Sequence, residues 1–240
     1  MKNSIISSFI LLGIVLVFSC KNKNTEPKPN DNNVYLPCVQ NFFLEIKTPN
    51  FIEDTYVFGY NGGNTTSFGS ENMLNVGSWR AVEDVSGTFY DNIIYLKFDY
   101  SQLPSSAVVN GAFITLSVDS FGYSAIPKYV PYGHSIDDDT KSIVISNVTS
   151  NWYEASLNYF NQPTENSLKA ETYSITTNEF QEYTFNVTKL LQDQLKKGNN
   201  GFKIALANPS GNNLLRFASS ENAYATYCPK ITISYQTPNQ

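Results

Sequence analysis

Short runs in which apolar residues alternate strictly with polar ones recur through the chain, and they constrain its fold more than any other feature. Ile94, Leu96 and Phe98 form one run, Ala112, Ile114, Leu116 and Val118 a second, and Tyr183, Phe185 and Val187 a third. Phe202, Ile204 and Leu206 follow, and Ile231, Ile233 and Tyr235 close the series. Successive side chains on a strand point to opposite faces, so a period of two marks a strand with one face on a core. Clusters of Gly, Asn, Ser and Pro separate the runs at Gly59 to Gly63, Pro104 to Ser106, Asp137 to Thr140 and Asn208 to Asn213. Strands do not alternate with long helices, as a parallel sheet would require, and no fixed-period repeat is visible. The expectation is an all-β chain whose antiparallel sheets close on each other as a sandwich, filled from a composition 14% aromatic and only 15% charged.

One segment breaks the pattern. From Asn186 to Gly198, Leu190, Leu191 and Leu195 fall near helical spacing, Thr188 is placed to cap the start, and Lys196 and Lys197 suit the negative end of the dipole. Gly198 can adopt the positive φ that stops a helix. The leucines are expected to seal an open end of the sandwich.

The chain begins differently. Lys2 precedes an apolar run from Ile5 to Phe18, too short to span a bilayer but suited to a signal segment. The run ends Leu16-Val17-Phe18-Ser19-Cys20, which resembles the lipobox of bacterial lipoproteins, with Phe18 bulkier than that pattern prefers. The expected organisation is a signal peptide over residues 1–19, a lipidated Cys20 opening a tether over residues 20–35, and one folded domain over residues 36–240. The tether is Lys, Asn, Asp, Pro and Thr with almost nothing apolar, so it cannot recover the entropy of ordering. The expected location is the cell envelope, at the outer membrane or cell surface, with the lipid as the one membrane contact. Beyond Cys20 stand Cys38 and Cys228, joined as a disulfide or buried as two separate thiols.

Several pieces, taken in order from Asp54 to Tyr235, resemble the DNRLRE domain family. They are Asp54-Thr-Tyr-Val57, Phe68-Gly69 and Leu74-Asn-Val-Gly77; then Tyr95-Leu-Lys-Phe-Asp99 with Leu103-Pro104 and Val108 to Ala112. Trp152-Tyr-Glu154, Leu157 to Asn161 with Pro163, Phe185-Asn-Val-Thr188 and Asn200-Gly201-Phe202 continue the series. Tyr159 stands where the family commonly has tryptophan, and Asn186 where it has aspartate. The string behind the family's name is absent, the nearest stretch being Asn213 to Phe217 with Ser219-Ser-Glu221. The resemblance implies a jelly-roll-like β-sandwich, in a family that includes carbohydrate-binding modules. It also leaves room for a structural calcium held by carboxylates and carbonyls, at a place the sequence does not locate. Many of the same residues also have packing roles: Trp152 as a buried aromatic, Glu154 as an acceptor for loop amides.

Catalytic chemistry finds little to work with. The single histidine, His134, has no Gly-x-Ser-x-Gly elbow to serve, and one histidine with two cysteines offers little to a transition metal. Asp137-Asp138-Asp139 lacks the spaced ligands of a calcium loop and reads as a solvated hairpin tip. With a net charge of −5 and no basic run, nucleic acid is not an expected partner. The expected role is therefore non-catalytic binding of a neutral or acidic polysaccharide, the alternative being a structural or assembly lipoprotein of the envelope that binds a protein. Candidate ligand contacts are Trp79 and Arg80, just beyond the Leu74 to Val76 strand, with Tyr60, Lys97, Tyr132, His134 and Arg216. An exposed ring stacks on a sugar face and a guanidinium or ammonium meets hydroxyls or carboxylates, although each loop aromatic has the alternative of folding back onto the sandwich.

Overall fold

The computed structural model describes residues 40–47, 49–59, 64–80, 89–118, 140–176, 182–209 and 213–237. Signal segment, Cys20, tether, Tyr60, Tyr132, His134 and the Asp137 to Asp139 cluster lie outside these residues. Among the described residues, no helix is long and apolar enough to cross a membrane.

The alternating runs become strands in two antiparallel sheets, giving the expected β-sandwich. The first sheet orders β1 (Gln40–Ile46), β11 (Lys230–Thr237), β5 (Val108–Ser117) and β8 (Glu182–Asn186). The second is built around β4 (Phe89–Phe98). Along one edge of β4 runs β2 (Ile52–Gly59), paired from Ile52↔Phe98 to Gly59↔Asp91. Along the other edge, β3 (Met73–Arg80) and β9 (Phe202–Leu206) follow one another. β3 carries β10 (Asn213–Ala218), and β9 carries β6 (Thr140–Val148) and β7 (Glu165–Thr176).

Inner-facing residues of both sheets meet in one core. Ile94, Leu96 and Phe98 of β4 and Phe202 and Ile204 of β9 face Ala112, Ile114 and Leu116 of β5 and Ile231 and Ile233 of β11, all fully buried. Each such large apolar side chain contributes about 1.5–3 kcal/mol on leaving water. A smaller second core lies on the outer face of the larger sheet. There Val57 and Tyr95 are covered by Val148, Trp152 and Leu157, with Tyr159 packed beside them. Tyr95 thus sits on the face that alternation assigns to solvent and is nonetheless fully buried. The β6–β7 connection, residues 149–164, provides this cover.

The helix forms as expected, α1 (Thr188–Lys197), but two of its details differ from the expectation. Thr188 is its first residue rather than its cap. The Asn186 side chain accepts from the Thr188 amide at 3.1 Å, and the Thr188 hydroxyl accepts from the Ala112 amide at 2.9 Å, tying the helix start to β5. Leu190 and Leu191 are buried, whereas Leu195 is 43% exposed and Gln194 takes the inward place. Gln194 Nε2 donates to Asn147 Oδ1 at 2.8 Å and Asn147 Nδ2 donates to the Leu190 carbonyl at 2.9 Å, so a buried amide pair locks α1 to β6. The helix touches β5 of one sheet and β6 of the other, closing that end of the sandwich. Gly198 follows at φ 114°, and its amide bonds the Gln194 carbonyl.

Of the two distal cysteines, Cys38 lies outside the described residues, and Cys228, just before β11, is buried.

Candidate functional site

Three connections converge at one end of the larger sheet: residues 64–72 before β3, residues 149–164 between β6 and β7, and residues 219–229 between β10 and β11. Hydrogen bonds staple them together. The Ser67 hydroxyl donates to the Glu154 carbonyl at 2.9 Å, the Ser219 hydroxyl to the Glu71 carbonyl at 2.7 Å, and the Tyr159 amide to the Asn64 carbonyl at 3.2 Å. Asn222 Nδ2 donates to the Asn72 carbonyl at 3.2 Å.

Beneath them lies an acidic group. One carboxylate oxygen from each of Asp54, Glu154 and Glu221 lies within 4.8 Å of the other two. Asp54 belongs to β2, on the same face as Ile52 and Tyr56 of the main core, and is 1% exposed; Glu154 is half-buried and Glu221 exposed. The Ser220 amide donates to Asp54 Oδ2 at 2.8 Å and the Asp54 amide to Glu154 Oε1 at 3.3 Å. Asp54 Oδ1 is buried with no hydrogen-bond partner. Burial first, then the charge of Glu221, raises the Asp54 carboxyl well above the usual carboxylate range, against the pull of the Ser220 amide. The same two causes push Glu154 up to about 7. Cys228 lies alongside, its Sγ 3.6 Å from the Ser220 carbonyl, its thiol raised by burial and by these carboxylates.

Around the acidic group the connections carry exposed rings. Tyr153 is 72% exposed and Phe160 64%, both on the 149–164 connection. Tyr224 and Tyr227, at ring centroids 6.2 Å apart, are exposed on the 219–229 connection. That connection is anchored at its base: Trp152, next to Tyr153, is 5% exposed and its Nε1 donates to the Asn200 carbonyl at 2.8 Å. The base is completed by the Tyr95 hydroxyl donating to Gln162 Oε1 at 3.0 Å.

Of the expected ligand residues, Trp79, Arg80, Lys97 and Arg216 fall within the described residues, on strands β3, β4 and β10. Trp79 and Arg80 are the last two residues of β3, paired with Tyr90 and Phe89, and so belong to a strand rather than to a loop. Lys97 is engaged, its ammonium 2.6 Å from Glu53 and 6.0 Å from the centre of the Trp152 ring. Arg216 is 5% exposed within β10, opposite Asn75, and alternates with Leu215 and Phe217 of the main core, so it lies on the other, also buried, face of that strand. A cleft of about 420 Å³ beside α1 is lined by Lys169, Lys189, Lys196, Glu171 and Asp193. Its cations are largely paired, Lys169 with Asp193 at 2.7 Å and Lys189 with Glu171 at 3.7 Å. Sequence reasoning found Glu154 as an acceptor for loop amides but missed Asp54 and Glu221 as its companions. The signal available was an aspartate at an inward position of an otherwise apolar strand face.

A two-sheet sandwich that presents exposed aromatic rings on braced loops is the architecture of a binding module. The chain matches the family model of carbohydrate-binding module family 96 over residues 45–235, and it belongs to that family. No curated protein matches it closely enough to report.

Proposed function

We propose that this protein is a non-catalytic module that binds polysaccharide and is tethered to the cell envelope by a lipid on Cys20. Family membership supports carbohydrate as the ligand class. The observation that carries the site is the pair Tyr153 and Phe160, two large exposed rings on the connection that Trp152 anchors. Rings held in place lose little entropy on stacking against a sugar, so each contributes more than a mobile one. Trp79 with Arg80 is the second face to be tested, as the sequence suggested.

Affinity electrophoresis against neutral and acidic polysaccharides tests the reading. The wild type is expected to be retarded by at least one glycan, and Tyr153→Ala or Phe160→Ala to bind it about 5- to 150-fold more weakly, the equivalent of about 1–3 kcal/mol. The melting temperature should stay nearly constant, because both rings are exposed. Retardation unchanged in both variants but lost in Trp79→Ala would move the site to the end of β3. No retardation by any glycan would favour the envelope-assembly alternative.

The tether is tested separately by labelling with a clickable palmitate. Cys20→Ala is expected to abolish incorporation, since no other cysteine lies near the apolar run. Persistent label in the variant would remove the lipoprotein reading.

A further inference from the structure

We infer that the lysine-bearing face of α1, with Lys169 of β7 beside it, docks on the anionic surface of the membrane to which the chain is tethered. The inference rests on the lipid at Cys20 proposed above and adds a headgroup contact to it. Lys189, Lys196 and Lys197 fall on the side of α1 turned away from the buried Leu190, Leu191 and Gln194. Lys169 stands opposite, across a cleft of about 420 Å³ that Lys189 and Lys196 also line. These lysines meet only Asp193 and Glu171. Asp193 is shared by Lys169 at 2.7 Å and Lys197 at 3.0 Å, and Glu171 lies 3.7 Å from a Lys189 that is 82% exposed. Exposed ion pairs of this kind contribute little, so the ammonium groups can turn to lipid phosphates at small loss. The chain as a whole carries a net charge of −5, and the positive excess on this face runs against that sign.

Where the tether joins the domain selects the partner. β1 opens at Gln40, opposite Thr237; Asn41 pairs with Gln236, and Gln236 in turn with Val108 of β5. Asn41 and Val108 are therefore two strand spacings apart in one row, about 10 Å. The next residue, Val109, offers its carbonyl to Gln192 Nε2 of α1 at 2.8 Å, and the Ala112 amide donates to the Thr188 hydroxyl. The chain thus enters the sandwich at the end that α1 closes. Residues 20–39, which precede β1, reach at most about 70 Å when fully extended. Their first half repeats the sign of the helix face, with Lys21, Lys23 and Lys28 against Glu26. Anionic headgroups attract basic residues only within a Debye length, about 8 Å at physiological salt, so the tether is what brings the four lysines into range.

The test is lysine footprinting of the full-length acylated protein. It is treated with an acetylating reagent on vesicles of phosphatidylcholine alone and of phosphatidylcholine with phosphatidylglycerol in equal parts. Acetylation of Lys169, Lys189, Lys196 and Lys197, read by mass spectrometry, is expected to slow about threefold or more on the anionic vesicles and to recover in about 1 M salt. Lys47, 62% exposed just past the far end of β1, should react equally on both and serves as the control. The double variant Lys196→Ala, Lys197→Ala should melt close to the wild type, because both side chains are exposed, and should lose the protection of Lys169 and Lys189. Flotation with the neutral vesicles reports the lipid anchor by itself. Protein that floats with both vesicles yet is acetylated equally on both would overturn the docking and leave the anchor standing. Protein that does not float with the neutral vesicles would overturn the anchor, and the docking with it. Protection of the four lysines by a soluble polyuronate but not by anionic vesicles would also overturn the docking and make the cleft part of a glycan site.

Discussion

Trp152→Ala is expected to destabilise the domain by about 3–5 kcal/mol, a fall in melting temperature on the order of 10 °C for a domain of this size. Trp152 is 5% exposed at the centre of the second core, against Tyr95 at a centroid separation of 5.9 Å and with Val57, Val148 and Leu157 around it. Truncation opens a cavity there and leaves the Asn200 carbonyl without its donor. It also removes the lid over Tyr95, whose position on the outer face depends on the 149–164 connection staying docked. The neighbouring substitution supplies the contrast: Tyr153→Ala, one residue on and 72% exposed, should change stability by less than about 0.5 kcal/mol. Thermal melts of the two variants side by side decide the matter. A shift of under 2 °C for Trp152→Ala would show that the connection does not depend on its tryptophan.

Gly201→Ala is expected to cost about 2–5 kcal/mol for two separate reasons. Gly201 has φ 81°, which costs a non-glycine residue about 1–2 kcal/mol. In addition, a Cβ there would lie 2.5 Å from the Leu96 carbonyl oxygen and 3.0 Å from Lys97 Cα, so the backbone of β4 or β9 must move, at about 1–3 kcal/mol. The displacement would spread, because the Gly201 carbonyl accepts from the Val148 amide and from Gln194 Nε2, both at 3.0 Å. Denaturant unfolding measures the loss, and amide exchange at Val148 should quicken if the β6 contact is disturbed. A loss below 1 kcal/mol would mean that the chain relaxes around the added methyl at little cost. The same reasoning gives a physical content to the Asn200-Gly201-Phe202 segment: the glycine lets the chain leave the helix and enter β9 directly against β4.

Much of the architecture was legible because strand alternation is a local property. Every alternating run quoted from the sequence lies on a strand apart from the last residues of two, Val118 just beyond β5 and Val187 just beyond β8, and the helix spans Thr188 to Lys197 as its leucines suggested. Where alternation misled, tertiary cover was the cause. Tyr95 reads as solvent-facing and is buried because a connection more than fifty residues further along the chain folds over it. Arg216 reads as a candidate ligand contact and is only 5% exposed because β10 is buried along its whole length. Trp79 and Arg80 read as a loop because nothing local shows that β4 offers Tyr90 and Phe89 as pairing partners.

By itself the sequence determined the two-sheet β class, the strand-forming runs, the place and extent of the helix, and the structural role of Trp152, since each follows from periodicity or from the character of nearby residues. Only the tertiary structure decided what stands at the candidate site. Asp54 reaches Glu154 across 100 residues and Ser220 across 166, so no window of sequence contains the acidic group. Its unpartnered oxygen and the exposure of Tyr153 and Phe160 depend on how three connections pack over one end of a sheet. Packing of that kind is a sum of long-range contacts, whereas the pattern that makes a strand is carried by the strand alone.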